Sequence, residues 1–243
     1  LNFETFAKLQ NADLSNLPEL SSNERIGSCI TSPRKFIAIG LNYSDHAAEV
    51  GADIPKEPIV FMKATSCIVG PNDDVEIVSG SKKLDWEVEL GIIIGKEAKH
   101  ISENQSQDHI LGYCLVNDVS EREWQLEKMG QWVKGKSHDT YGPVGPHLVT
   151  KDEISDVNNL KMSLDVNGKR MQTGNTSTMI FNVDVIVSYL SKYMTLLPGD
   201  IITTGTPPGV GMGMKPQQFL KAGDMMKLSV ENLGEQNSKV VAL

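Results

Sequence analysis

The sequence is poor in cysteine and has no cysteine motif that would build a metal site or a disulfide framework. Its 243 residues include three cysteines, Cys29, Cys67 and Cys114, and no two of them have the C-x-x-C spacing. An odd, scattered set of this kind argues against both a structural zinc site and a disulfide scaffold. It fits a reducing compartment, and we expect a cytoplasmic location.

Long apolar runs and clusters of basic residues are also missing. No stretch approaches the roughly 20 apolar residues that a membrane-spanning helix needs, and the first residues show no signal-peptide pattern. The 31 Asp and Glu residues outnumber the 23 Lys and Arg residues and give a net charge of −8. This balance argues against nucleic acid or an anionic membrane as a partner.

Phosphate-binding glycine motifs are absent as well, although glycines gather in the segment 204–213. That segment has neither the G-x-G-x-x-G nor the G-x-x-x-x-G-K-[ST] spacing, and Pro216 follows where a phosphate-capping helix would begin. The glycines are better explained by a tight loop after a strand. Such a loop would present Thr206 and backbone amides to a pocket.

Among the features that are present, a strand with two glutamates on one face is the first candidate site. The alternation of residues 84–95 places Glu87 and Glu89 on the same face, about 7 Å apart at the usual rise per strand residue. Two carboxylates on an otherwise apolar strand repel each other, and a divalent cation such as Mg²⁺ or Mn²⁺ is the simplest compensation. The alternative is an antiparallel strand with one solvated face, where alternating Glu is ordinary.

His46 and Glu49 lie three residues apart on a predicted short helix. Asn42 or Ser44 would cap this helix, and Gly51 would end it. A carboxylate beside an imidazole raises its basicity and fixes its tautomer, as a general base requires. An incidental His–Glu contact on a polar helix is the alternative interpretation.

A third set of polar residues follows the predicted buried strand 112–116. Asp118 comes where a strand gives way to a helix, and Arg122 and Gln125 would project on the same side of that helix. Lys136 lies in a predicted loop over 131–140, where it could point inward as an oxyanion contact. The alternatives are an N-cap Asp with an exposed Arg and Gln, and a solvated surface Lys.

Strands and turns dominate the remaining pattern and predict a β-rich α+β fold in a single domain. We predict a hairpin turn over 166–169, a helix over 101–110 and a clear amphipathic helix over 182–194, which we assign to the core. Residues 1–31 are predicted to form a small N-terminal cap or arm, and residues 32–243 the catalytic domain.

Four stretches in one order resemble the fumarylacetoacetate hydrolase family, from about Pro33 to the C-terminus. They are NYSDHAAEVG (42–51), DWEVELGIIIG (85–95), NDVSEREWQ (117–125) with GKSHDTYGPVGP (135–146), and TGTPPGVG (204–211). The resemblance implies a homodimer with a mixed β-sandwich roll, and one Mg²⁺ or Mn²⁺ held by Glu87, Glu89 and Asp118. It also implies that His46 and Glu49 lie on a lid helix. The residues expected to face the pocket are Arg122, Gln125, Lys136 and Thr206.

Within the family, GQWVKGK and the tail LGEQNSKVVA are most similar to hydrolases of 2,4-diketo-3-deoxy sugar acids. Acylpyruvate hydrolases are also similar, and His138 stands where the family pattern has Phe. The resemblance implies a Mg²⁺-dependent hydrolase that cleaves a C–C bond in a 2,4-dioxo acid, giving pyruvate and a carboxylic acid in sugar-acid or aromatic catabolism. Family alternatives are oxaloacetate decarboxylase, 2-hydroxyhepta-2,4-diene-1,7-dioate isomerase and ureidoglycolate lyase. A non-catalytic protein that binds a metal or a 2-oxo acid is the alternative from another class.

The mechanism expected for such a hydrolase assigns a role to each pocket residue. His46, polarised by Glu49, would deprotonate the water that attacks the distal carbonyl. Lys136 and Gln125 would steady the oxyanion, and Arg122 would pair with a substrate carboxylate or with Glu49. Closure of the lid would exclude competing water.

Overall fold

Short strands form the body of the protein. The computed structural model describes residues 2–21 and 24–243. Numbered in chain order, its strands are β1 Phe36–Gly40, β2 Ile59–Lys63, β3 Ile68–Val69, β4 Val75–Ile77, β5 Leu84–Asp85, β6 Val88–Ile94, β7 Ile110–Asn117, β8 Ser120–Glu121, β9 Gly142–Pro143, β10 Val149–Thr150, β11 Lys161–Val166, β12 Lys169–Asn175, β13 Ile201–Thr203, β14 Met225–Val230 and β15 Gly234–Ala242.

The helices are short. The α-helices are α1 Phe3–Gln10, α2 Ser44–Val50, α3 Val133–Lys136 and α4 Val183–Tyr193, and a π-helix spans Glu123–Glu127. Turns of 3₁₀-helix span Thr65–Cys67, Glu103–Asp108, Lys151–Glu153, Val157–Asn159, Thr176–Thr178 and Gly211–Gly213. Within the described ranges, every helix is too short or too polar to cross a lipid bilayer.

Two mixed sheets enclose a shared apolar core. The six-stranded sheet has the order β10-β7-β6-β13-β1-β2, in which β13 and β1 are parallel and the other neighbours antiparallel. The five-stranded sheet has the order β12-β11-β14-β15-β4, with β15 and β4 parallel. Strands β11 and β14 of the second sheet pack against β6. The predicted β-rich α+β fold is therefore confirmed.

The predicted strand over 84–95 is interrupted, because side chains take the backbone hydrogen bonds at its centre. The amide of Trp86 donates to the Asp85 carboxylate (2.9 Å), and the amide of Glu87 donates to the Asn117 side chain (3.2 Å). Both residues therefore lie between β5 and β6. All residues of β6 are buried, so the alternative with one solvated face is wrong.

Three local predictions also differ from the structure. The residues that follow Ile101 form a 3₁₀-helix, and the predicted loop over 131–140 contains α3, a single turn that is too short to give a periodic pattern. Neither Asn42 nor Ser44 caps α2. Tyr43 is its N-cap residue, and the Asn42 side chain instead binds the backbone of Phe181 and Thr204.

The predicted hairpin turn over 166–169 and the predicted helix over 182–194 are confirmed. Asn167 and Gly168 have φ values of 53° and 76° between β11 and β12, as the predicted hairpin requires. Helix α4 begins after Asn182, whose side chain accepts from the amide of Val185 (3.0 Å).

Helix α1 packs Phe3 and Phe6 against the core, while residues 11–21 are exposed. Part of the predicted arm lies outside the described residues, and its boundary stays a prediction.

Candidate metal centre and active site

The candidate site is a cavity of about 130 Å³ where α2, the π-helix and α3 meet the ends of β6 and β7. The loop after β13 closes one side of it. Eight of the predicted site residues line this cavity: His46, Glu87, Glu89, Asp118, Arg122, Gln125, Lys136 and Thr206. The ninth, Glu49, lies behind His46 and contacts its ring.

Three buried carboxylates form the floor of the site. Glu89 belongs to β6, Glu87 lies in the break before it, and Asp118 directly follows β7, the neighbour of β6. One oxygen from each of the three lies within 4.8 Å of the others. The Asp118 amide donates to the Glu87 carbonyl (3.0 Å), which fixes the relative position of these two residues. All three residues are at most 6% exposed.

Cations bind two of the three carboxylates directly. Lys136 Nζ lies 2.5 Å from Glu87 Oε2 and 2.7 Å from Asp118 Oδ2, and Arg122 Nη2 lies 2.6 Å from Glu87 Oε1. Burial by itself would raise the pKa of Glu87, but the charges of Arg122 and Lys136 outweigh it and hold that pKa well below its usual range. The same carboxylates outweigh the burial of Lys136 and raise its pKa.

Glu89 differs from its two neighbours. It accepts a hydrogen bond from the Gly205 amide (2.9 Å), but no described cation lies within ion-pair distance of it. Gly205 has a φ of 93°, a conformation that glycine adopts readily. Burial, and then the negative charges of Asp118 and Glu87, raise the pKa of Glu89 well above its usual value.

The charge balance of the site fits a bound divalent cation. Four buried carboxylates meet there (Asp85, Glu87, Glu89 and Asp118), and three cations bind them (Lys63, Arg122 and Lys136). One buried carboxylate, Glu89, is therefore left without an ion pair among the described residues. Carboxylate oxygens are the ligands that Mg²⁺ and Mn²⁺ prefer. The residues present thus fit such an ion.

His46 has the hydrogen bonding of a general base. Its Nδ1 lies 2.9 Å from Glu49 Oε2, and Glu49 Oε1 accepts from the Gly209 amide (2.9 Å). A ring nitrogen that faces a carboxylate carries the proton, so Nε2 is left as the acceptor. Helix α2 presents this ring to the cavity and ends at Gly51, which has a φ of 68°.

Each of the three guanidinium nitrogens of Arg122 donates to a protein group. Its Nε donates to Asp85 (2.8 Å), its Nη1 to Gln125 Oε1 (3.0 Å) and its Nη2 to Glu87. The expected pairing of Arg122 with Glu49 is wrong, because Glu49 instead binds His46 and Gly209. Arg122 therefore orients Glu87 and Gln125.

Thr206 lines the cavity, but its hydroxyl already has two partners. It donates to the Val88 carbonyl (3.0 Å) and accepts from Gln172 Nε2 (2.8 Å). These bonds tie the loop after β13 to β6. His138 lies outside the lining of the cavity, and its ring packs between those of Trp124 and Tyr141, with centroids 6.4 and 5.0 Å away.

Three buried polar residues of the site were not predicted from the sequence. Lys63 binds Asp118, and Gln172 links β12 to the loop after β13. Asp85 binds Arg122 and accepts from the amides of Gly211 and Met212. The signal for Lys63 was present, since it is a lysine in an otherwise apolar strand. Asp85 and Gln172 give no such signal, because their partners lie far away in the chain.

Comparison with known proteins identifies the family. The profile of the fumarylacetoacetate hydrolase C-terminal domain matches residues 35–241. A Burkholderia lata protein, which carries only a provisional name as a hydrolase, is 58% identical over 231 residues, 95% of this chain and 82% of its own.

Two solved structures are similar to this one. The fumarylacetoacetate hydrolase of Exiguobacterium antarcticum is 38% identical with a TM-score of 0.88, and the match covers 96% of this chain and 84% of that one. The 2-hydroxyhepta-2,4-diene-1,7-dioate isomerase of Mycobacterium marinum is 38% identical with a TM-score of 0.78, over 90% and 78% of the two chains. The chain therefore belongs to the fumarylacetoacetate hydrolase family of enzymes.

Proposed function

We propose that this protein is a divalent-metal-dependent hydrolase that cleaves a C–C bond in a 2,4-dioxo acid. The products would be pyruvate and a second carboxylic acid. The observation that carries the proposal is that a hydrogen-bonded His–Glu pair and a buried carboxylate trio face one small cavity. The His–Glu pair can activate water as a nucleophile, and a metal held by the carboxylate trio would suit a 2-oxo acid.

Each residue of the site has a separate role in the proposed reaction. His46 Nε2 takes a proton from the water that adds to the distal carbonyl, while Glu49 holds the ring and stabilises its protonated form. Gln125 and Lys136 donate hydrogen bonds to the oxygen that becomes negative, and Arg122 holds Gln125 and Glu87 in place. Movement of α2 onto the substrate would exclude competing water.

Glu87, Glu89 and Asp118 would hold Mg²⁺ or Mn²⁺, which supplies Lewis-acid stabilisation for negative charge at the 2-oxo end of the substrate. With such an ion in place, the four buried carboxylates, the three cations that bind them and the ion would together carry one net positive charge. A substrate that brings a carboxylate compensates this charge. This balance favours an anionic 2-oxo acid over a neutral ketone.

The apolar part of the cavity lining favours an apolar acyl group on the substrate. It is formed by apolar side chains: Ile39, Leu41, Val50, Phe61, Leu126, Trp132 and Met212. The rings of Phe61 and Trp132 pack edge to face with centroids 5.3 Å apart. The hydroxyl groups of a sugar acid would lose their hydrogen bonds to water against these apolar side chains without gaining new partners. We therefore expect an acylpyruvate to be turned over better than a 2,4-diketo-3-deoxy sugar acid.

The test is a turnover assay on metal-stripped protein, with and without added Mg²⁺. An acylpyruvate, a 2,4-diketo-3-deoxy sugar acid and oxaloacetate are offered in parallel, and pyruvate, the second acid and CO₂ are measured. Metal-dependent release of pyruvate with a second carboxylic acid supports the proposal. If oxaloacetate is the only substrate turned over and it releases CO₂, the protein is a decarboxylase instead, which needs no water nucleophile.

An isomerase of unsaturated dioic acids is the second candidate. It is favoured by the 38% identity to the Mycobacterium marinum isomerase. Such an enzyme needs His46 as a proton shuttle and releases no fragment. Offering 2-hydroxyhepta-2,4-diene-1,7-dioate distinguishes the two reactions, because isomerisation changes the ultraviolet spectrum without forming pyruvate.

A further inference from the structure

Lys63, at the end of β2, is an almost fully buried lysine with a complete set of acceptors. It is 2% exposed, and its Nζ lies 2.5 Å from Asp118 Oδ1. The same ammonium donates to the backbone carbonyls of Val119 (3.4 Å) and Lys136. A buried ammonium is costly unless it is paired and hydrogen-bonded. This geometry meets both conditions and joins β2 to the segment after β7 and to α3.

Lys63 and Lys136 bind different oxygens of the same carboxylate. Lys63 holds Asp118 Oδ1, whereas Lys136 bridges Asp118 Oδ2 and Glu87 Oε2. Asp118 Oδ2 is thereby directed toward Glu87, and Oδ1 away from it toward β2. Lys63 therefore fixes the rotation of the Asp118 side chain, independently of what binds on the Glu87 side.

We infer that Lys63 is a positioning residue for the metal centre, which holds Asp118 ready as a ligand by binding its outer oxygen. The inference rests on the proposed function, in which Asp118 is a metal ligand. Residues that orient a metal ligand through its second atom commonly affect metal affinity by 10–100-fold. The chain also gives Lys63 no role in contacting substrate, because it is absent from the lining of the cavity.

The experiment measures Mn²⁺ binding by titration of metal-stripped protein, followed by electron paramagnetic resonance of the free ion. The variants are Lys63→Met, Lys63→Gln and Lys63→Arg. We expect the dissociation constant for Mn²⁺ to rise about tenfold or more in Lys63→Met. Lys63→Gln keeps a donor for the backbone carbonyls but brings no charge to Asp118, so it should show a similar loss even if Lys63→Met does not fold. Lys63→Arg restores the charge and should recover part of the affinity.

Ser137→Ala is the matched control. The Ser137 hydroxyl accepts from the Ala64 amide (2.8 Å), so it links the same two segments without contacting Asp118. We expect Mn²⁺ affinity within about twofold of the wild type, because the carboxylate keeps its partners. An equal loss in Ser137→Ala, or unchanged affinity in folded Lys63→Gln, overturns the inference while the proposed function stands. Wild-type protein that binds no Mn²⁺ would overturn the metal centre itself, and with it this inference.

Discussion

Glu89 shows most clearly why a divalent cation fits the site. Glu87 and Asp118 each have a lysine within 2.7 Å, whereas Glu89 has a single backbone amide as its polar partner in the described structure. A buried carboxylate without a counter-ion destabilises the folded state when it is ionised. Glu89 is thus the carboxylate whose charge an added cation would compensate.

The variant Glu89→Gln should stabilise the metal-free protein near neutral pH. Below the ordinary glutamate pKa, folded and unfolded chains both bind this proton, so variant and wild type should be equally stable. As pH rises past that value, the unfolded chain releases the proton while the folded chain, with its raised pKa, retains it. Wild-type stability then falls relative to the variant. Thermal unfolding in a chelator near pH 7 should give a melting temperature a few degrees higher for Glu89→Gln.

The control for this prediction is the addition of Mn²⁺. The ion should raise the melting temperature of the wild type and leave that of Glu89→Gln nearly unchanged, because ligand binding stabilises only the protein that binds it. A variant that is less stable than the wild type in chelator would show that Glu89 is already compensated by the protein.

Replacement of His46 by Asn separates the base from the metal centre. His46 contacts Glu49 and no carboxylate of the trio. His46→Asn should therefore lower kcat roughly 100-fold or more, as expected for loss of a general base, with Mn²⁺ affinity unchanged. Steady-state kinetics and metal titration check the two halves. Loss of both together would remove His46 from the role of base.

The elements that position these residues were only partly predictable. Strand β7 and helix α4 follow from apolar patterns, and the hairpin between β11 and β12 from Asn-Gly. The break in the strand at Trp86–Glu87 could not be predicted from the local sequence, because it depends on Asn117, 30 residues away. The π-helix that carries Gln125 and begins directly after Arg122, and the single helical turn that carries Lys136, likewise depend on contacts that are distant in sequence. Resemblance to a family supplied the site residues, and the geometry shows how they are held.

Helix α3 offers a test of this positioning through Gly135. A Cβ atom there would lie 2.4 Å from the Glu121 carbonyl oxygen and 2.5 Å from the Gln125 amide nitrogen, both backbone atoms. Gly135→Ala should push α3 away from the π-helix and displace Lys136, lowering kcat/KM by about tenfold or more. The cost in stability should be about 1–3 kcal/mol.

Lys134→Ala on the same helix is the control for Gly135→Ala. Lys134 is exposed, and its side chain bonds only the Lys128 carbonyl among the described contacts, so this variant should keep wild-type kinetics. Full activity in Gly135→Ala would mean that α3 can shift without consequence for Lys136.

For the molecule as a whole, the assembly state remains a prediction. The resemblance to the family implies a homodimer, and the sequence gives a chain mass of 26.6 kDa. Size-exclusion chromatography with light scattering should therefore report about 53 kDa, twice that value. A mass near that of one chain at micromolar concentration would contradict the dimer.

The proposal that the protein is a hydrolase of a 2,4-dioxo acid is tested by oxygen labelling. Metal-loaded protein is supplied with an acylpyruvate in H₂¹⁸O, and the products are analysed by mass spectrometry at short times, with His46→Asn as the background for solvent exchange. The account predicts one ¹⁸O atom in each molecule of the second carboxylic acid, since cleavage of the C–C bond consumes one water at the distal carbonyl. Turnover of the acylpyruvate without release of a labelled second acid would contradict it.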